Sequence, residues 1–176
     1  RINYDRKDIY IQLLLDETPM LRNKQWKDQY VLETINFYDI LSENDVRYPA
    51  RIKEEKAYRE LIDKLNPLRE TILVRSDTTD QDQKYRETLL SFIENKLGET
   101  WSKIKDTTKD EAGNAEFHLK NSASLKEKWG DLDGLALTYG SLARYHKESG
   151  NYQQSIEFFE KDIELNEQCG GRKWHA

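Results

Sequence analysis

The sequence predicts an all-α protein of antiparallel helical hairpins stacked as an α-solenoid, with a less regular helical N-terminal part. Three observations carry that expectation. Apolar residues recur at i, i+3, i+4 and i+7 through most of the chain, which gathers them on one stripe of a helix. Eight Gly and three Pro in 176 residues supply few of the tight turns that a sheet protein needs. Hydrophobic residues make up 36% against 35% charged, with a mean hydropathy of -0.95. Four Trp, ten Tyr and five Phe nevertheless argue against a disordered chain. A thin core shared between amphipathic helices, each with a wide solvated face, accommodates both facts.

From the N-terminus, Ile9, Tyr10, Leu13 and Leu14 trace one face of a first helix that Thr18-Pro19 ends. A second covers about 23–41, apolar along Trp26, Tyr30, Val31, Ile35, Tyr38 and Leu41, and Ser42-Glu43-Asn44-Asp45 reads as a loop. A third spans about 49–65 with Tyr58, Leu61, Ile62 and Leu65; Asn66-Pro67 breaks or restarts it ahead of Leu68, Ile72 and Leu73. Ser76-Asp77-Thr78-Thr79-Asp80 is the clearest polar linker, and it divides the chain. Residues 1–75 form an N-terminal cap or connector, and 80–176 a repeat region.

Thr79 or Asp80 caps the next helix, where Tyr85, Leu89, Phe92, Ile93 and Leu97 recur, and the stripe continues past Gly98 to Trp101 and Ile104. After a polar break over 107–113, Ala112, Ala115, Leu119, Ala123 and Leu125 give a helix with a narrow, small-residue face. A helix over 134–149 follows, with Leu135, Leu142, Ala143 and His146 on one side. Gly150-Asn151 makes a short turn, both residue types tolerating positive φ. The last helix buries Ile156, Phe159 and Ile163. Two helices joined by so short a turn form a hairpin over 131–168.

Self-comparison supports repetition. Gly130 and Gly170 lie 40 residues apart, as do Ala136 and Ala176. The same shift sets Ala115, Leu119, Ala123 and Leu125 under Ser155, Phe159, Ile163 and Leu165. The expected content is one helix of a first unit, a whole second unit, and the opening of a third, truncated at Ala176.

Tyr139, Leu142, Ala143, Gly150-Asn151-Tyr152, Ser155-Ile156 and Phe158-Phe159-Glu160-Lys161 together resemble a tetratricopeptide repeat, in a longer-period variant. In that family an aromatic, a Leu and a small residue on the first helix pack against a small residue and an aromatic on the second. The resemblance gives those roles to Tyr139, Leu142, Ala143, Ser155 and Phe159, with Ile156 and Ile163 completing the repeat core. The departures are His146 in place of an aromatic, Asp162 in place of a small residue, Glu167 in place of a closing Pro, and a spacing above the usual length of about 34.

The resemblance implies a concave face, lined by the first helices, that takes a peptide or a helix. Carried onto this sequence, Leu137, Gly140, Ser141, Arg144, Lys147 and Glu148 face it, with Gly140 leaving room for a ligand backbone. Arg144 is the candidate for a specific contact, since its fork can grip a carboxylate bidentately; the competing reading is that it pairs with a neighbouring acid. The Lys/Asn clamp that some members use for a C-terminal carboxylate is not reproduced.

Other chemistry finds little support. No phosphate loop, dinucleotide fingerprint or nucleophile elbow occurs. Asp131-Leu132-Asp133-Gly134 fails as a calcium loop because Trp129 and Gly140 would occupy ligand positions. His118, His146 and His175 are scattered, so a zinc site would require all three to converge, with or without Cys169. Cys169 reads as a helix-end residue rather than a reactive thiol. Glu157, Glu160, Asp162 and Glu164 surround Lys161 on one helix, a solvated face with a Glu157–Lys161 pair rather than an acid–base dyad. Lys120, Lys126, Lys128, Arg144 and Lys147 could form a small basic patch that neighbouring acids dilute.

A net charge of -5, from 28 basic and 33 acidic residues, leaves no broad positive surface, so nucleic acid is not expected. A single cysteine excludes an intrachain disulfide and leans toward a cytoplasmic setting. No apolar run approaches the roughly 20 residues of a membrane span. The expected function is a non-catalytic protein-interaction scaffold that binds a protein or peptide, without metal or cofactor. The alternative is a sensor or regulatory segment of a larger bacterial signalling or defence enzyme, a signalling ATPase or caspase-like protease, with its catalytic domain outside these residues.

Overall fold

The computed structural model describes residues 28–47 and 55–169, with side chains in the first stretch described over 33–44. The expected first helix, Trp26, Pro49, His175 and the expected opening of a third unit lie outside these residues. The described residues are all-α: six helices and no strand. They are α1 (Asp28–Arg47), α2 (Glu55–Leu73), α3 (Asp80–Trp101), α4 (Asn114–Trp129), α5 (Leu132–Glu148) and α6 (Tyr152–Gln168). The chain divides into two compact units, Arg1–Leu68 and Arg69–Ala176.

In the first unit, α1 runs through the Ser42–Asp45 stretch read as a loop. Its buried stripe is also rotated from the expected one. Glu33, Thr34, Phe37, Ile40 and Asn44 are buried, whereas Ile35, Tyr38 and Leu41 are half-exposed. Asn44 continues the Phe37–Ile40 line by one helical turn, so the polar run extends the helix instead of ending it. Lys64 of α2 pairs with Glu43 of α1 at 2.8 Å.

Pro67 does not break α2. The bond its ring removes belongs to the carbonyl of Asp63, and both residues stand on the exposed face, where water can take that carbonyl's place. Ala57, Leu61, Leu65, Leu68 and Ile72 continue the buried stripe beneath it.

The second unit is a run of antiparallel neighbours in which α3 packs on α4, α4 on α5 and α5 on α6. Thr79 caps α3 by accepting from the Asp82 N–H at 3.0 Å, as the linker composition predicts. Along α3 and α4, partners descend on one helix as they rise on the other: Gly98 lies against Ala115 and Leu119, Glu94 meets His118, and Ser122 Oγ donates to Ser91 O at 2.8 Å. At the far end Glu87 Oε2 accepts from Lys128 Nζ at 2.6 Å and Trp129 Nε1 at 2.8 Å. Gly98 is required by this approach. A Cβ there would fall 2.5 Å from Leu119 Cγ and 3.0 Å from Ala115 O.

Asp131 starts α5 by accepting from the Gly134 N–H at 2.9 Å. Between α5 and α6, Gly150 turns the chain at φ 79, where a side chain would be strained. Ser155 Oγ then donates to Ala143 O at 2.8 Å, fixing two small residues in contact. Leu142, Ala143 and Ser155 are buried as expected.

Ile156, Phe159 and Ile163 are not: they are 52%, 37% and 57% exposed. The residue facing α5 is Phe158, whose ring stacks on His146 at 5.4 Å and lies 5.8 Å from the half-buried Tyr139. Ser155 sets this rotation. Its backbone contact puts 155 and 158 inward and carries 156, 159 and 163 to the outer flank.

A candidate interaction face on the first helices

Two side-chain bonds bring α3 and α5 together. Thr138 Oγ1 donates to Asn95 Oδ1 at 2.8 Å, and Ser141 Oγ donates to Glu99 Oε1 at 3.1 Å. Both partners advance in the same direction, so these helices lie parallel, each the first member of a hairpin. The helix expected to stand alone before the hairpin, α4, therefore has a partner of its own in α3.

The two hairpins can be aligned by sequence, although Leu119 is buried and Phe159 is 37% exposed. Leu97-Gly98 with Trp101 on α3 corresponds to Leu142-Ala143 with His146 on α5, 45 residues on. Leu97, Gly98, Leu142, Ala143 and His146 are all buried. On the second helices Ala115 corresponds to Ser155 and Leu119 to Phe159, at the expected 40. The differing shifts are absorbed by the connections, which run over 102–113 in one hairpin and 149–151 in the other. His146, aligned with Trp101, stacks on Phe158.

Under this correspondence Phe92 of α3 answers to Leu137 of α5. Leu137 is 61% exposed, and Phe92, expected in the core, is 36% exposed. Phe92, Asn95 and Glu99 line α3, and Leu137, Ser141 and Arg144 line α5, at helical spacing. Lys147 and Glu148 are exposed at the end of α5. Arg144 is exposed and donates to Ser141 Oγ at 3.1 Å. Among the described residues no carboxylate lies within ion-pair distance of it. Ser141 is buried and occupied by its own bonds. Gly140 turns away, because a Cβ on it would approach Asp162 of α6 at 3.2 Å.

Beneath this face lies a polar core that periodicity alone conceals. Lys126 of α4, expected in a surface basic patch, is buried; its Nζ donates to Thr138 Oγ1 at 2.8 Å and to Gly134 O at 3.2 Å. Burial pushes its pKa below the usual lysine value, against the pull of the Asp131 and Glu99 carboxylates. Two further members are neutralised, Lys120 by Glu116 and Lys128 by Glu87, which leaves Arg144 and Lys147 exposed. Lys161 lies 5.3 Å over the Phe158 ring and 5.5 Å over Tyr139, in place of the expected pair with Glu157. Burial raises the Tyr139 pKa, and the Glu127 charge adds to that.

Glu94 is nearly inaccessible and is held from two sides, by Arg69 Nε at 2.6 Å and His118 Nδ1 at 2.5 Å. For Glu87, burial works to raise the pKa. The bonds from Lys128, Gln83 and Trp129 outweigh it and hold the carboxyl below its ordinary range.

Among the described residues no group of three or more His, Cys, Asp or Glu side chains is placed to share a metal ion. No described helix is long and apolar enough to cross a membrane. No family model matches the chain, and no curated protein or solved structure matches it either.

Proposed function

We propose that this chain is a non-catalytic, cytoplasmic interaction scaffold of tetratricopeptide-like hairpins stacked as an α-solenoid, binding a peptide or helix across α3 and α5. The observation that carries the reading is the parallel pair of first helices with matched exposed apolar residues. Phe92 and Leu137 offer apolar contacts at equivalent positions, and Arg144 offers a guanidinium without an ion pair about two helical turns beyond Leu137. A fitting ligand carries apolar side chains near a carboxylate, which a guanidinium fork takes bidentately. Asn95 and Glu99 are held in place by Thr138 and Ser141, so the face is organised before a ligand arrives.

Selection from a displayed random-peptide library against the whole chain tests this. Enriched peptides should combine acidic and apolar residues. Their binding should fall by roughly tenfold or more in Arg144→Glu or Leu137→Ala. Failure to enrich any sequence, or binding indifferent to both substitutions, contradicts the proposal.

A further inference from the structure

The outer face of α6 is a second apolar surface, distinct from the α3–α5 face. Tyr152, Ile156, Phe159 and Ile163 follow one another at helical spacing and are 66%, 52%, 37% and 57% exposed. Scattered exposed apolar residues need no explanation, but four in one line on one helix do. One residue further round the helix, Glu157, Glu160, Glu164 and Glu167 form a parallel acidic line, all of them exposed.

The hairpin correspondence shows what such a face accommodates. Ile156, Phe159 and Ile163 answer to Glu116, Leu119 and Ala123 on α4. That part of α4 runs beside α5, since Lys126 bonds Thr138 and Gly134 and Glu116 approaches His146 at 3.6 Å, while Leu119 between them packs against Gly98 of α3. The equivalent edge of α4, marked by Glu116 and Lys126, thus has a helix beside it one hairpin earlier, and α6 presents larger apolar side chains there.

Charge selects among possible helices. α6 carries Glu157, Glu160, Asp162, Glu164 and Glu167 against a single Lys161, and that lysine is seated over Tyr139 and Phe158. A second copy pairing α6 with α6 would bring like charges together across the apolar line. A helix with lysines or arginines beside its apolar stripe would meet them favourably. We propose that the α6 face docks a basic amphipathic helix of a partner protein, lying along α6 as α5 lies along α4.

Fluorescence anisotropy with the full chain and a labelled synthetic peptide tests the proposal. The probe is an amphipathic helix of about 20 residues with Leu at i, i+3, i+4 and i+7 and Lys on its flanks. A matched peptide carries Glu at the flanking positions. The Lys peptide should bind, and the Glu peptide should bind roughly tenfold or more weakly. Ile156→Ser with Ile163→Ser should weaken the Lys peptide by a similar factor, and Glu160→Lys with Glu164→Lys should reverse the preference. These side chains stand outside the core, so far-UV circular dichroism should be unchanged. Arg144→Glu, which disables the α3–α5 face, should leave this binding intact; that separates the proposal from the one above.

The inference is overturned if the Lys peptide does not bind, or if flank charge makes no difference. It is also overturned if Arg144→Glu abolishes the binding, which would place the peptide on the other face. Sedimentation showing a dimer that the Ile156/Ile163 substitutions dissociate would make a second copy the occupant instead.

Discussion

Replacing Gly98 with Ala tests the hairpin packing with a change of one methyl group. In an exposed helix interior that substitution stabilises by roughly 0.5–1 kcal/mol, because alanine gives up less backbone entropy on folding. At Gly98 the new Cβ would sit 2.5 Å from Leu119 Cγ, 2.9 Å from its Cδ2 and 3.0 Å from Ala115 O. Leu119 is fully buried and cannot swing clear, and a backbone carbonyl yields only if α4 moves. Overpacking of this kind costs about 1–3 kcal/mol, so the middle and upper part of that range outweighs the propensity gain and leaves a net loss of about 1–2 kcal/mol. In a chain of this length that net loss corresponds to a fall of roughly 2–8 °C in Tm.

Thermal and urea unfolding followed by far-UV circular dichroism would read the change. A double-mutant cycle locates it. Leu119→Ala alone should destabilise by about 2–5 kcal/mol through the cavity it leaves. Combined with Gly98→Ala it should cost less than the two losses added together, since the new methyl enters the vacated space. A Tm raised by Gly98→Ala, or strict additivity, would refute the close approach of α3 and α4.

Gly140→Ala is the contrasting case: the neighbour at 3.2 Å is the mobile end of Asp162, so stability should hold or rise by a few tenths of a kcal/mol in urea titration. Leu142→Ala should cost about 2–5 kcal/mol, while Ile163→Ser, on the exposed flank, should stay within about 0.5 kcal/mol by the same assay. Lys126→Met should leave stability unchanged or raise it by about 1 kcal/mol at neutral pH, because it removes a buried charge whose bonds go to neutral oxygens. That difference should shrink in alkaline titration. The folded-state lysine pKa is depressed, so the wild-type chain binds fewer protons than its unfolded form and gains stability as pH rises toward about 10.5. Glu87 has a depressed folded pKa, so its contribution is present above the ordinary carboxylate range and is lost as pH falls through the folded value. Trp129→Phe, which removes one donor to Glu87, should flatten that acid limb in urea midpoints measured over roughly pH 3–7.

Helical class, the α5–α6 hairpin and the Thr79 cap were legible because each depends on near neighbours in sequence. The exposed flank of α6 was not. Ile156, Phe159 and Ile163 have the spacing of a buried stripe, and periodicity does not say which of two adjacent stripes faces the neighbouring helix. Ser155 decides that through a bond to Ala143 O. The first hairpin stayed hidden because the connection over 102–113 offsets its first helix by 45 residues where its second is offset by 40. Leu97-Gly98 beside Trp101 was the available signal, and it matches Leu142-Ala143 beside His146. Charged residues misled in the other direction. Lys126, Glu87 and Glu94 look like solvated helix positions until helices distant in sequence close over them and supply their partners. Pro67 was over-read for a related reason, since only burial shows that its missing bond falls on the exposed face.

Mapping by NMR tests the central claim most directly. Amide shifts of the labelled chain would be followed as a peptide selected for binding is added. The account predicts that the largest shifts fall on Phe92, Asn95, Leu137, Ser141 and Arg144, along the adjacent first helices. Shifts confined to α4, to the unit before Leu68, or scattered without relation to α3 and α5 would contradict it.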